Sequence, residues 1–296
     1  MRGYPLKQRT LNQYLRERFG RKIYKISISG GFTCPNRDGT LDTRGCIFCS
    51  AGGSGDFAED KNLSITEQIN LGKRRVAAKM PEGYIAYFQA FTNTYAPVER
   101  LRALYSEAIE HPCIVAVSIG TRPDCLSDEV LDLIAELNLL KPIWVELGLQ
   151  TIHEKSAEYI RRGYSLPVYE RAVRELRARN IETITHVILG LPGESREEML
   201  QTVKYVGESG VQGIKLQLLH VLEGTDLAID YRNGLFEVMT MDDYISLIKD
   251  CVDILPDDIV IHRLTGDGPK RILIAPEWTK DKKRVLNALN KELNIN

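Results

Sequence analysis

Residues 23–49 read IYKISISGGFTCPNRDGTLDTRGCIFC, and this stretch decides how the rest of the 296-residue chain is interpreted. Its first six residues are mostly apolar and rich in isoleucine, the composition of a strand. Cys34, Cys46 and Cys49 follow together on the loop beyond it. Thiolates are soft ligands suited to iron–sulfur clusters and zinc, and a Cys-x-x-Cys pair reaches one centre from a single turn. A structural zinc site takes four ligands, and the next candidates, His111 and Cys113, lie about sixty residues on. Three thiolates on a cubane leave one iron open to a small molecule, which makes the incomplete set informative.

Working outward, strand-like runs recur at 83–88, 114–119, 143–147, 183–189 and 213–219. Helical periods fill the gaps at 66–79, 97–111, 127–139, 166–180 and 195–209. Ser127 precedes Asp128 and Glu129, and Ser195 is followed three residues later by Glu198, a capping box. Six βα units in series predict an α/β fold, a TIM-like barrel or a partial (β/α)6 TIM-like barrel, with its working residues where strands end and loops begin. The expected organisation is a basic N-terminal segment (1–21), a barrel core (22–256) and a small C-terminal extension (257–296). The extension is expected to hold an added strand pair, 259–264 and 271–274, and a charged helix from Thr279 onward.

Composition is that of a globular protein, with 43% hydrophobic and 27% charged residues. The 39 basic and 40 acidic residues nearly cancel, which excludes a global basic field. No run approaches the roughly 20 apolar residues of a membrane span, and no secretory signal is recognised at the start. A cytoplasmic location is therefore expected, where six cysteines are read as metal, redox or packing residues rather than disulfides.

The cysteine loop resembles that of the radical S-adenosylmethionine (SAM) superfamily, in the looser spacing of the branch that includes the elongator catalytic subunit and oxygen-independent coproporphyrinogen oxidase. Further segments follow that branch in order: Thr-Arg-Pro-Asp at 121–124, Glu146-Leu-Gly-Leu-Gln150, Arg162-Gly163-Tyr164, Gly190-Leu-Pro-Gly-Glu194, Lys215-Leu-Gln217 and Glu223-Gly-Thr225. The matches run from about Lys22 to Leu227. The compact form is similar to bacterial proteins of the YhcC/YtqA type.

The resemblance implies that Cys34, Cys46 and Cys49 hold a [4Fe-4S] cluster whose open iron binds SAM, the source of a 5′-deoxyadenosyl radical. It implies cofactor contacts from Phe48 to adenine, from Gln150 to ribose, from Arg162 to the SAM carboxylate, and from the turn that begins at Gly190, with Ile188 before it. His186 stands where some relatives carry a ribose-binding Asp. Many members have Gly-Gly-Glu after the second strand, whereas this chain offers Gln89, Thr92 and Asn93, and Gly120 replaces a Glu of the elongator-like relatives. Glu146 is then expected to receive the SAM ammonium. Topology nominates Gln217, His220 and Tyr95 as substrate-lining residues, with Cys125 a further candidate beside them. Cys113 and Cys251 are read as packing thiols.

The resemblance also implies action on tRNA wobble uridine, at the carboxymethylaminomethyl or aminomethyl stage, with a reductant such as flavodoxin or ferredoxin. The first 25 residues carry eight Lys/Arg, Arg2, Lys7, Arg9, Arg16, Arg18, Arg21, Lys22 and Lys25, interleaved with Tyr4, Tyr14, Phe19 and Tyr24 as an expected RNA-contacting edge. Two alternatives remain open: a radical SAM enzyme acting on a small metabolite, and a non-enzymatic metal-binding protein.

Overall fold

A computed structural model describes residues 8–53, 55–266 and 268–295. The strands are β1 (Arg9–Thr10), β2 (Ile23–Ile28), β3 (Gly83–Phe88), β4 (Ile114–Thr121), β5 (Ile143–Gln150), β6 (Glu182–Leu189), β7 (Gly213–Leu218), β8 (Val221–Leu222), β9 (Val260–Arg263) and β10 (Leu273–Ala275). The helices are α1 (Leu11–Phe19), α2 (Ile65–Val76), α3 (Val98–Glu110), α4 (Asp128–Asn138), α5 (Glu154–Tyr159), α6 (Leu166–Ala178), α7 (Arg196–Glu208), α8 (Asp226–Arg232), α9 (Met241–Ile254) and α10 (Lys282–Glu292).

The main sheet has the order β1-β9-β7-β6-β5-β4-β3-β2, so the six expected strands lie side by side in chain order, all parallel. Parallel neighbours need crossovers, and helices α2, α3, α4, α6 and α7 supply them. The sheet is curled into a partial barrel. Lys25 on β2 touches Glu146 on β5, and Lys215 on β7 touches Tyr87 on β3, across a lumen that a flat sheet would not enclose.

Two expectations change. Residues 259–264 and 271–274 do not pair with each other: β9 joins the main sheet parallel to β7, and β10 pairs antiparallel with β8. The physical reason is α9, whose Tyr244, Leu247, Ile248, Cys251 and Val252 form one buried face and whose Thr240 caps its start. That helix returns the chain to the start of the sheet, where a parallel strand can be added.

The basic N-terminal segment changes at Lys25, which leaves the expected RNA-contacting edge, while Arg16, Arg21 and Lys22 stay exposed. Arg2, Tyr4 and Lys7 lie outside the described residues. Beyond them, α1 packs Leu11, Tyr14, Leu15 and Phe19 against Ile23, Ile85, Ala116, Trp144 and Ile184. This apolar plug closes the N-terminal ends of the strands, opposite the loop cysteines. Arg9 pairs with Glu17, Arg18 pairs with Glu182, and Lys25 turns into the lumen.

Candidate active site

The loop that leaves β2 is shaped by its own turns. The Arg37 and Asp38 amides donate to the Cys34 carbonyl (2.8 and 3.2 Å), Gly45 to Asn36 (2.7 Å) and Cys49 to Cys46 (3.0 Å). Two side chains strap it down. Asn36 Nδ2 donates to the Arg161 carbonyl at 2.7 Å, and Arg37 Nη2 donates to the carbonyls of Cys49 and Ser50 at 3.0 and 2.7 Å. Gly163 is the abutment: at φ +80°, a Cβ there would stand 2.8 Å from Asn36 Oδ1.

As a result, Cys34, Cys46 and Cys49 all line one cavity of about 400 Å³ at the C-terminal ends of the strands. A hydrogen bond with Cys49 lowers the Cys46 thiol to about 6 against the opposing effect of burial, and Arg122, Asn36 and Arg37 add to the lowering. The lowering favours the thiolate, the form that ligates metal. Among the described residues no three His, Cys, Asp or Glu side chains converge on a single ion. A four-iron cubane requires no such convergence, because each thiolate binds a different iron.

Backbone strain gathers around this cavity. Phe91, Gln150 and Arg161 have φ of +60°, +66° and +55°, a conformation that costs a non-glycine residue roughly 1–2 kcal/mol. At Gln150 the register of β5 against β6 shifts, and the side chain folds over Gly148, where a Cβ would lie 2.7 Å from Gln150 Nε2. Phe91 occupies space left by Gly53. Tyr164 lies between Arg122 and Arg162, with guanidinium carbons 5.0 and 4.8 Å from its ring centre. Arg122 is bidentate to Asp124 at 2.9 and 2.8 Å. Arg162 is almost fully buried, with Nη1 donating to the Thr151 carbonyl (2.6 Å) and Nε to the Tyr164 carbonyl (2.9 Å).

Deeper in the lumen a polar cluster surrounds Glu146. Its Oε1 accepts from Lys25 Nζ (2.5 Å) and Ser118 Oγ (2.6 Å); its Oε2 accepts from His186 Nε2 (2.7 Å) and Lys215 Nζ. Gln217 Nε2 donates to His186 Nδ1 at 3.2 Å, which leaves the imidazole neutral with its proton on Nε2. Burial, with Lys215 nearby, pushes His186 down to about 4. Burial alone would raise Glu146, but Lys215, Lys25 and His186 outweigh it and hold the carboxyl well below its usual range. Burial lowers Lys215 to about 7, despite the opposing pull of Glu146.

Ten of the residues singled out from sequence share the cavity with the cysteines: Phe48, Gln89, Thr92, Glu146, Gln150, Arg162, His186, Ile188, Gln217 and His220. Four stand outside its lining. Asn93 donates Nδ2 to the Gly120 carbonyl at 2.7 Å, and the Gly190 amide points at the Met199 sulfur, 3.0 Å away. Tyr95 and Cys125 line a separate, more open groove, and the Tyr95 hydroxyl meets Thr40 at 2.9 Å. Glu146 sits four residues before the end of β5, with both oxygens engaged by side chains from other strands. Lys25, Tyr87, Ser118 and Lys215 had not been read as site residues. Their signal was a polar or ionisable side chain at alternate positions of an otherwise apolar strand, as in Lys25 and Ser27 or Lys215 and Gln217.

The family model described as "Radical SAM superfamily" matches residues 33–206, the span that carries the cysteine loop and the strained turns. The chain belongs to the radical SAM superfamily. A second model, "Radical_SAM C-terminal domain", matches residues 211–294. The chain is 48% identical over 285 residues to "Uncharacterized protein YtqA" of Bacillus subtilis, covering 96% of this chain and 88% of that one. It is 26% identical over 172 residues to a "tRNA uridine(34) acetyltransferase" of Methanocaldococcus jannaschii, covering 57% of this chain and 31% of that one. Among solved structures, the archaeal Methanocaldococcus infernus Elp3 superposes with a TM-score of 0.68 at 18% identity, over 92% of this chain and 63% of that one. That likeness bears on the radical SAM fold.

The superfamily implies a [4Fe-4S] cluster and SAM, and the residues present fit both. Three thiols on one strapped loop face a cavity whose other walls carry amide, hydroxyl and guanidinium groups. Gly120 and Gly148 keep the strand ends bare of side chains where the cavity passes between the cysteines and the lumen.

Proposed function

We propose that the chain is a radical SAM enzyme that modifies the side chain of a tRNA wobble uridine. The observation that carries the catalytic part is the shared cavity of Cys34, Cys46 and Cys49 with the polar strand ends. In it the three thiolates would hold the cluster, and Gln89, Thr92, Gln150 and Phe48 would position SAM. The chemistry supplied there is one-electron cleavage of SAM and hydrogen abstraction from substrate. The protein's own part is to bind, orient and exclude water. Phe48 and Ile188 line the cavity with apolar surface, and the Arg162 hydrogen bonds fix the loop after β5.

The tRNA part rests on the sequence relation to tRNA uridine(34) acetyltransferases, which covers just over half of this chain. Deleting the gene should remove one modified uridine from bulk tRNA. An unchanged nucleoside profile would refute the tRNA assignment. A small-metabolite substrate is the second reading, favoured by the position of α1 at the end opposite the cavity, with Arg18 paired to Glu182 and Lys25 to Glu146. The two differ in binding: RNA affinity falls steeply with salt, and a metabolite enzyme would show no such RNA affinity.

A further inference from the structure

The lumen layer beneath the cysteines contains one buried carboxylate, Glu146, with a buried lysine, Lys215, and a half-buried one, Lys25, against it. Lys25 and Lys215 approach Glu146 from opposite sides, and both lie over the Tyr87 ring, 4.7 and 4.5 Å from its centre. His186 is neutral, fixed between Gln217 and Glu146, and adds no charge. With Lys215 protonated this group of residues carries more positive than negative charge, and burial, which lowers Lys215 to about 7, opposes that state unless an anion stands beside it. Burying such a surplus is unfavourable unless an anion balances it. The next layer down shows that this sequence can fill the barrel with apolar side chains, since Ile85, Ala116, Trp144 and Ile184 do so. Lys215, unlike Lys25, lines the cavity itself, and Arg263 of β9, its register partner, lines the same wall.

We propose that this layer is a subsite for one carboxylate carried by the substrate, with Lys215 as its ion-pair partner. The plug beneath makes the lumen a blind end, so the anion must be terminal. A phosphodiester, flanked by two sugars, does not fit that requirement, and a phosphomonoester brings up to two charges where one is needed. Glu146 holds Lys215 in place, and Gln217 with His186 closes the remaining side. The inference rests on the proposed function only for what carries the carboxylate, a uridine side chain or a small metabolite.

The test is equilibrium binding to the full chain, reconstituted with its cluster without air and in the presence of SAM. The probes are an anticodon stem-loop RNA whose wobble uridine bears a carboxymethylaminomethyl group, the methyl ester of that RNA, free N-methylglycine, and its methyl ester. The expected result is a preference for acid over ester of about tenfold or more. Lys215→Met should abolish the preference while leaving ester binding in place, and Lys215→Arg should retain it. General damage to the site would weaken acid and ester alike. A preference shown by N-methylglycine with no RNA binding would keep the subsite and refute the tRNA reading. Equal binding of acid and ester by the unmodified chain, or binding of neither acid, overturns the inference.

Discussion

Gln150 shows how single residues at this site depart from ordinary strand behaviour. Its φ of +66° suits glycine, yet a glutamine is present and turned into the cavity. Gln150→Gly should therefore be more stable than Gln150→Ala by roughly 1 kcal/mol, the reverse of the usual strand order, measurable by denaturant titration. An alanine variant as stable as the glycine one would contradict strain at this position. Glu146→Ala should cost about 3–5 kcal/mol, because it leaves Lys25 and Lys215 facing each other without an anion. Lys215 also sets a pH dependence. It is surrounded by Lys25 on β2, Tyr87 on β3, Glu146 on β5, His186 on β6 and Arg263 on β9, and burial lowers it to about 7. Between about pH 7 and its ordinary value of 10.5, the unfolded chain binds the extra proton, so this group makes stability rise with pH across that window. Below about 7 both states are protonated and its contribution is flat. Lys215→Met should remove that rise from a stability-against-pH profile.

At the scale of elements, the cysteine loop depends on a turn about 120 residues away in sequence. Gly163→Ala would place a methyl 2.8 Å from Asn36 Oδ1 at a φ of +80° and should loosen the strap under Cys46. Iron content after reconstitution should fall in that variant, and full iron retention would argue against the strap. These elements also show what the sequence made legible. The six lumen strands and five crossover helices were readable because their periodicity and caps are local properties, as at Ser195 and Glu198. The partner of β9 was not, since 259–264 reads as a strand whichever neighbour it has, and α9 decides the outcome by its length. Lys25 illustrates the same limit within the site. Its sequence neighbours made it part of a basic edge, whereas the curl of the sheet carries it to Glu146 on β5. The meeting of Cys34, Cys46 and Cys49 in one cavity was legible because all three lie on one loop. Tyr95 and Cys125 line the neighbouring groove rather than the cavity, a choice made by the loops after β3 and β4 that strand pattern does not show.

The whole molecule divides its functions by height along the barrel. An apolar plug closes one end, a polar layer around Glu146 crosses the lumen, and the strapped cysteine loop covers the other end. No helix among the described residues is long and apolar enough to cross a membrane. The arrangement gives three cysteine side chains to one cavity and supplies no fourth there, since Cys113, Cys125 and Cys251 do not line it. The most direct measurement is metal and product analysis of the chain reconstituted without air, then treated with dithionite and SAM. About four irons with matching sulfide per chain, and release of 5′-deoxyadenosine that each of Cys34→Ala, Cys46→Ala and Cys49→Ala abolishes, are the predicted results. Stoichiometric zinc without iron or sulfide, or a loaded protein that leaves SAM intact, would contradict the account.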